Sequence, residues 1–441
     1  MRRLLSALVA VPLVLALTAC SDWLGDVEAP PLPGQRISVL ALDTAIEPDP
    51  RVADLAVRLP RPYINREWPQ PGGYPDRAMH HLAGAEVPRI AWRRSIGAGS
   101  DDDGRILSTP VMARGRVFAM DALGEVVALA ADSGRPLWSF DPTPDDEDEG
   151  GFGGGLAHSA GRLFATTGYG EVIALDPETG DVVWRVRPGV PFRSGPVVAD
   201  KRVFAISFDN RLWVFDGHDG QSLWSHAGIT ETAGLVGGAS PAVAGDIVLV
   251  PYSSGEIAAL RVENGRTIWS DVLGLQGTGA GGLATLNDIN GSPVVDRGLA
   301  FAVSHGGRLV AIDMSSGSRV WEQDISGLNT PWIAGDFLFI VTTEGDVVCL
   351  LRDTGRIKWV QSLPRFEDPE DRDGPIDWSG PLLLSDRLIL TSSAGVAIAL
   401  SPYDGRYLGR MAMPSAVRLP PVVAGGAIYV LTDQAELVAL R

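Results

Sequence analysis

Residues that could carry out chemistry are few in this chain, and they are widely spaced. Among 441 residues there are two cysteines, Cys20 and Cys349, and six histidines. Only His80 and His81 are neighbours, and no histidine pair has the spacing of a zinc site. Two distant thiols exclude a disulfide scaffold and a multi-thiolate metal centre. Serine and aspartate are abundant, but they form no nucleophile-elbow motif, so the sequence predicts no metal site and no catalytic residues.

Cys20 ends a segment whose pattern predicts export and lipid attachment. Residues 1–3 are basic at two positions, residues 4–17 are almost wholly apolar, and Leu17, Thr18 and Ala19 precede the cysteine. The apolar run is shorter than a typical membrane-spanning helix. The ending resembles a bacterial lipoprotein signal, which implies cleavage before Cys20 and lipidation of its thiol. Ser21 rather than an aspartate follows, which by analogy favours the outer membrane. The alternative is an ordinary secretory signal with an incidental cysteine.

Charge is concentrated in a few acidic stretches. The formal net charge is −17, which argues against a general nucleic-acid binder because phosphate contacts need clustered lysine and arginine. Aspartates and glutamates cluster at residues 101–103, 141–155 and 366–373. We interpret these stretches as solvated loops, with a cation site as the alternative.

A repeat of fixed spacing organises the rest of the chain. In seven copies a turn residue is followed fourteen positions later by a tryptophan or, in the last copy, by Gly409. Each unit consists of short apolar runs broken by glycine, aspartate and proline, which predicts four short antiparallel strands. Repeats 38 to 52 residues apart favour β-propeller blades over a helical solenoid. The tryptophans are expected to pack between blades; they are Trp92, Trp138, Trp184, Trp224, Trp269, Trp321 and Trp359.

The eighth copy is incomplete in an informative way. It begins at Ala435 and stops with the chain at Arg441, so it lacks its tryptophan strand. A matching strand lies far upstream at residues 89–92. Joining the two ends would close the ring and remove its open edges. The sequence therefore predicts an all-β, eight-bladed propeller of four-stranded antiparallel blades, whose last blade is closed by an N-terminal strand.

This prediction divides the chain into three parts. Residues 1–19 are the signal peptide, and residues 88–441 form the propeller. Residues 20–87 contain many prolines that break regular elements, so we expect an extended tether whose apolar stretches dock on the body. Cys349 occupies a strand position that is alanine in most copies, which indicates a small buried residue rather than a reactive thiol.

All variation in length between copies lies in the connections from each tryptophan strand to the next blade. In a four-stranded blade these connections emerge on the same face as the turns between the second and third strands. One face of the ring therefore carries the variable loops, where binding sites usually lie. The connections after Trp224 and Trp269 are glycine-rich and apolar, as in residues 233–238 and 277–282. Exposed apolar residues in such loops favour a partner contact.

The unit at residues 174–184 resembles the tryptophan-docking repeat of quinoprotein dehydrogenases, and the resemblance covers residues 89–441. The stretch at residues 68–73 is similar to a segment that precedes the first blade in that superfamily. This resemblance implies pyrroloquinoline quinone and Ca²⁺ above the central channel, beneath a disulfide between adjacent cysteines. The propeller region contains only Cys349, so the cysteine pair is missing and we expect no cofactor and no enzyme activity.

A lipoprotein signal combined with such a propeller resembles the outer-membrane assembly factor B family, in its α-proteobacterial form. This resemblance implies a lipid-anchored scaffold on the periplasmic face of the outer membrane. It also implies that the scaffold binds the periplasmic repeat domains of the central barrel subunit and aids insertion of unfolded outer-membrane proteins. Family contacts lie in two neighbouring inter-blade loops, and the matching positions here are Ala233, Leu235, Val236, Asp288 and Asn290. The alternatives are a quinoprotein dehydrogenase and a periplasmic ligand-binding or sensing propeller.

Overall fold

Short runs of β-branched and large apolar residues, separated by glycine- and aspartate-containing turns, form the strands of eight four-stranded antiparallel sheets and one two-stranded hairpin among the described residues. The structure is a computed structural model, and it describes residues 46–102, 104–147, 151, 153–230, 237–274 and 287–441. One 3₁₀ turn, Pro50–Val52, precedes the strands and is capped by the side chain of Asp49. No helix in these ranges is long and apolar enough to cross a lipid bilayer.

The strands follow one another in blade order along the chain. In the N-terminal half they are β1 (Ile90–Ser95), β2 (Val111–Ala113), β3 (Arg116–Met120), β4 (Val126–Ala130), β5 (Pro136–Phe140), β6 (Gly154–Ser159), β7 (Arg162–Thr167), β8 (Val172–Leu175), β9 (Val182–Val186), β10 (Val197–Ala199), β11 (Arg202–Ile206), β12 (Arg211–Asp216), β13 (Ser222–Ala227), β14 (Ala242–Ala244), β15 (Ile247–Pro251), β16 (Glu256–Arg261) and β17 (Thr267–Val272). In the C-terminal half they are β18 (Val294–Asp296), β19 (Leu299–Val303), β20 (Leu309–Asp313), β21 (Arg319–Gln323), β22 (Trp332–Ala334), β23 (Phe337–Val341), β24 (Asp346–Leu351), β25 (Ile357–Ser362), β26 (Phe366–Asp368), β27 (Asp373–Pro375), β28 (Trp378–Leu384), β29 (Arg387–Ser392), β30 (Val396–Leu400), β31 (Tyr407–Ala412), β32 (Val422–Ala424), β33 (Ala427–Leu431) and β34 (Glu436–Leu440).

Blades one to seven each consist of four consecutive strands, beginning at β2, β6, β10, β14, β18, β22 and β28. The short hairpin β26–β27 is inserted between blades six and seven. Blade eight has the order β1-β34-β33-β32, so the strand that carries Trp92 completes it. Trp92 is paired with Ala439, and Ser95 with Glu436. The predicted eight-bladed fold and its closure by an N-terminal strand are confirmed.

Each tryptophan of the repeat docks on the next blade along the ring. Its indole Nε1–H donates a hydrogen bond to a main-chain carbonyl at the same position of the neighbouring third-to-fourth-strand turn, over 2.7–3.3 Å. The acceptors are, in order from Trp92 to Trp359, the carbonyls of Ala131, Pro177, Gly217, Val262, Met314, Arg352 and Pro402. Beneath each indole lies a glycine; at Gly265, which has φ +73°, a Cβ would lie 2.5 Å from the ring of Trp224. The repeat therefore encodes a tryptophan–glycine contact between successive blades.

Residues 65–82 fill one end of the central channel, and we call this segment the channel plug. Its main-chain and side-chain groups hydrogen-bond to the first strand of every blade. Trp68 exchanges two main-chain hydrogen bonds with Met112 of blade one, at 2.9 and 2.7 Å. The side-chain amide of Gln70 pairs in the same way with the main chain of Val198 in blade three. The contacts in the other blades are made by His158, Val243, Val295, Trp332, Leu383 and Val423.

The plug enters from the face that carries the turns between first and second strands. Glu67 accepts a hydrogen bond from the main-chain N–H of Arg114, and Asn65 accepts one from Gly425, both in such turns. Residues that precede the plug bind blade six, where the carbonyl of Val52 accepts a hydrogen bond from the side chain of Lys358. The sequence predicts an extended tether over residues 20–87; from Ile46 onward the structure shows a segment that packs along the propeller. Trp68, Met79 and Leu82, each at most 3% exposed, belong to its core.

His158 lies where blade two meets the plug, and its imidazole is nearly buried. The ring stacks on Phe118 with an interplanar angle of 3°, and its Nε2 has no hydrogen-bond partner in the part of the chain that the structure describes. Burial lowers the pKa of His158 below its ordinary value, and the charge of Arg114 adds to that effect. The unfolded chain therefore binds more protons than the folded chain just below pH 6.5, so stability falls as the pH drops through this range.

We expect His158→Phe to flatten the loss of stability between pH 7 and pH 5.5. A single group contributes at most about 1.4 kcal/mol per pH unit, and His226, whose pKa is also lowered by burial, keeps part of the slope. Urea unfolding at a series of pH values measures the effect. The matched control, His218→Phe, makes the same change at an exposed turn and should keep the parent slope. An unchanged slope in His158→Phe would show that this imidazole is not the titrating group.

Candidate functional site

The connections between blades and the second-to-third-strand turns emerge on one side of the ring, which we call the loop face. The candidate site lies there, at the loops that join blades two to five. Of the residues predicted to contact a partner, Ala233, Leu235 and Val236 lie outside the described residues, as does the predicted lipidation site Cys20. Asp288 and Asn290 are described, in the connection from blade four to blade five.

Asp288 is 1% exposed, and its carboxylate accepts hydrogen bonds from the guanidinium of Arg193 at 3.0 and 3.3 Å. Arg193 is itself 4% exposed and lies in the connection before blade three. The carboxylate thus points into the protein rather than toward a partner-facing surface. Its position gives Asp288 a role in holding the loops, which differs from the direct contact that the sequence predicts.

Arg193 joins four segments of the loop face. Its Nη1 donates to the side-chain carbonyl of Asn210 in a turn of blade three, and its Nε and Nη2 lie 3.4 and 3.3 Å from the carbonyl of Gly237. Together, Arg193 and Asp288 anchor two connections between blades at the described residues next to 231–236 and 275–286. A charge can be buried at a tolerable free-energy cost only when it is paired and hydrogen-bonded, and the guanidinium of Arg193 meets both conditions.

Arg193 was not singled out from the sequence. The available signal was an isolated arginine in the stretch from Gly189 to Pro196, which contains no acidic residue. Its partner lies 95 residues away. A contact over that distance leaves no local pattern by which Asp288 could have been identified.

Two apolar side chains are exposed beside these anchors. Ile229 is 59% exposed and Phe208 is 38% exposed. Asn210, at φ +58°, donates from its side chain to the carbonyl of Ile229 at 2.6 Å, and Phe208 donates its main-chain N–H to Pro191. Ile229 is therefore linked to Arg193 through Asn210, and Phe208 is bonded to the connection that carries Arg193. Exposed apolar residues on a rigid support are a common feature of protein interaction sites.

Asn290 lies deeper, on the wall of the central channel. Its side-chain Oδ1 is buried and has no hydrogen-bond partner among the residues that the structure describes. The cavity between the channel plug and the loop face has a volume of about 580 Å³, and we call it the channel well. Trp68, Gly72 and Arg77 of the plug line it.

The other candidate chemical groups are held in structural contacts. Cys349 is fully buried in β24, and burial raises the pKa of its thiol, so the reactive thiolate is disfavoured. In the acidic loop after Trp138, the side chains of Asp146 and Glu147 pair with Arg187 at 3.2 and 2.7 Å. Within the described part of the chain, no group of three or more histidine, cysteine, aspartate or glutamate side chains is arranged to hold a metal ion.

Comparison with known proteins identifies the family. The family model described as outer membrane protein assembly factor BamB matches residues 122–361. Curated relatives of that name include the proteins of Yersinia pestis, 28% identical over 78% of this chain and 86% of the relative, and of Escherichia coli K12, 28% identical over the same shares.

Solved structures show the same fold. BamB from Moraxella catarrhalis aligns with a TM-score of 0.68 at 21% identity, over 80% of this chain and all of that chain. A europium-containing methanol dehydrogenase aligns with a TM-score of 0.66 at 14% identity, over 83% of this chain and 89% of that chain. The ring architecture is thus shared with dehydrogenases, whereas the sequence match is to assembly factors. The chain belongs to the outer membrane protein assembly factor BamB family.

Proposed function

We propose that this protein is a non-enzymatic scaffold lipoprotein of the machinery that assembles β-barrel proteins in the outer membrane. Its loop face binds the periplasmic domains of the central barrel subunit and helps pass unfolded outer-membrane proteins to it. Lipidation of Cys20 holds it at the periplasmic face of the outer membrane. The family match over residues 122–361 carries this proposal, because that range contains the loops anchored by Arg193.

The local structure supports the loop face as the binding surface. The buried pair of Arg193 and Asp288 fixes the base of the two loops that the family resemblance implicates. Ile229 and Phe208 then present apolar surface beside those loops without the cost of ordering it upon binding. Asp288 and Asn290 contribute by positioning, and Ala233, Leu235 and Val236 remain proposed contacts. The adjacent cysteines implied by the dehydrogenase resemblance are absent from the sequence.

Substituting Ile229 by aspartate tests this surface. Burial of an isoleucine side chain is worth about 1.5–3 kcal/mol, so we expect Ile229→Asp to weaken binding of the barrel subunit's periplasmic domains by at least about tenfold. Phe208→Asp should act in the same direction. Pull-down with purified domains, followed by titration, measures both effects.

Val320→Asp is the matched control, because Val320 is 48% exposed on the outer strand β21, away from the loop face. Its binding should equal that of the parent protein. If folded Ile229→Asp and Phe208→Asp proteins both bind as tightly as the parent, this surface is not the binding site.

A further inference from the structure

The channel well is closed at one end by the chain itself. Because the plug contacts the first strand of all eight blades, solvent access to the well is from the loop face. Its volume of about 580 Å³ lies in the range of small-molecule sites. The rim carries Asp101 and Asp433 together with Arg105 and Arg418, so charges of both signs surround the opening. Selectivity for a ligand must therefore come from the floor and walls.

Arg77 at the floor is a buried cation that is only partly compensated. The residue is 4% exposed, and the one hydrogen bond of its side chain to the described residues is a long one, 3.5 Å from Nη1 to the carbonyl of Pro293. Nε and Nη2 have no hydrogen-bond partner among the described residues, and the charge of the adjacent Asp76 offsets only part of the effect of burial. Burial lowers the pKa of Arg77 to about 9, so the guanidinium remains protonated at neutral pH. An unpaired buried charge of this kind is costly.

The unpaired donors suit one kind of ligand. They are enclosed in this structure, so the side chains around them must move aside before a ligand in the well can reach them. Nε–H and Nη2–H lie on the same edge of a guanidinium and form the fork that binds two oxygens of a carboxylate or phosphate. The indole Nε1–H of Trp68, a residue that lines the well, is a further buried donor without a partner among the described residues. On the wall, the unpaired Oδ1 of Asn290 offers an acceptor for a ligand hydroxyl or amine.

The plug sequence accommodates this arginine by means of a glycine. Gly72 has φ +78°, and a Cβ at this position would lie 2.8 Å from Cγ and Cδ of Arg77. A residue with a side chain would therefore displace the arginine from the floor. The close approach shows that the backbone at Gly72 packs against the side chain of Arg77.

We propose that the channel well binds a small molecule through an oxyanion, with two oxygens seated on the Nε and Nη2 edge of Arg77 and hydrogen-bonded by Trp68. The site is separate from the loop-face contacts, and its occupancy does not require the barrel subunit. Carboxylate and phosphate share this chemistry, and the binding experiment distinguishes them.

Isothermal titration calorimetry of the purified protein with acetate, inorganic phosphate and acetamide at fixed ionic strength tests the proposal. We expect saturable binding of acetate or phosphate at one site per chain, with the tighter of the two identifying the oxyanion. Acetamide, which has the shape of acetate but no charge, should give no saturable heat. Arg77→Met should weaken oxyanion binding by at least tenfold.

Two further variants keep the result interpretable. Trp68→Phe keeps an aromatic ring in the core but removes the N–H together with the rest of the five-membered ring of the indole, so the folded variant should bind severalfold more weakly even if Arg77→Met fails to fold. Arg406→Met makes the same change at an exposed position just before β31, outside the lining of the well, and should bind as the parent does. The proposal is overturned if neither acetate nor phosphate binds, if acetamide binds equally well, or if the folded variants of Arg77 and Trp68 keep parental affinity. Each of these outcomes is independent of binding to the barrel subunit.

Discussion

Removal of β34, by truncation before Glu436, is expected to abolish cooperative folding or lower the melting temperature by tens of degrees. Leu437, Val438 and Leu440 are each at most 3% exposed, and burial of each such side chain contributes about 1.5–3 kcal/mol. Their sum is comparable to the whole stability of a typical domain, about 5–15 kcal/mol. The deletion also leaves β1 and β33 without their common neighbour. Differential scanning calorimetry measures the change.

Glu436→Ala is the control for this truncation. It keeps the strand and removes only the side chain that pairs with Arg93 at 3.6 Å on the protein surface. We expect its melting temperature to lie close to that of the parent, since exposed ion pairs contribute little. If the truncated protein had the same melting temperature as the parent, the stability of the ring would not depend on closure by its two ends.

Arg193→Met is expected to destabilise the protein by about 3–5 kcal/mol, the usual cost of removing one partner of a buried ion pair. The substitution leaves the carboxylate of Asp288 buried without this counter-charge and frees the carbonyl of Gly237. Because both flanking loops lose their anchor, we also expect at least a tenfold weaker affinity for the barrel subunit. Urea unfolding and the binding titration measure the two effects.

A double-mutant cycle separates stability from positioning. Arg193→Met combined with Asp288→Leu removes both charges. The double variant should therefore regain much of the stability that Arg193→Met alone loses. Binding should stay weak in the double variant, because the loops still lack the hydrogen bonds that Arg193 makes to Asn210 and Gly237. If the free energy of unfolding of Arg193→Met lay within about 0.5 kcal/mol of the parent value, this role would be contradicted, because substitutions on the surface have effects of that size.

The ring could be predicted from the sequence because each blade carries its own complete signal. In blades one to six a glycine precedes the tryptophan of the same blade by four positions. The contact between Trp184 and Gly220 therefore repeats that between Trp138 and Gly180, although the loops between the blades differ in length. Closure followed from the same periodicity, since the last copy lacks one strand and residues 89–92 supply it. Repetition converts contacts between distant strands into a local pattern.

The channel plug and the Arg193 anchor could not be found in this way. The plug contains Pro69, Pro71 and Pro75, and its partners are single main-chain groups in eight separate blades, so it has no periodicity. Prolines that disrupt regular strands indicated an extended segment but not its location. Arg193 and Asp288 belong to no repeated motif, and only the folded ring brings them together. In both cases tertiary structure supplies the partners, and no repeat marks them. Assignment to an α-proteobacterial form stays a prediction.

Isolation of the protein from the outer membranes of its own bacterium in mild detergent tests the central claim most directly. Quantitative mass spectrometry of the co-isolated proteins should find the central barrel subunit in near-stoichiometric amount, and Ile229→Asp should deplete it whereas Val320→Asp should not. Recovery of the protein without the barrel subunit would contradict a scaffold role in barrel assembly. The same role would be contradicted if both variants recovered the barrel subunit at the same level, with no enrichment over unrelated membrane proteins.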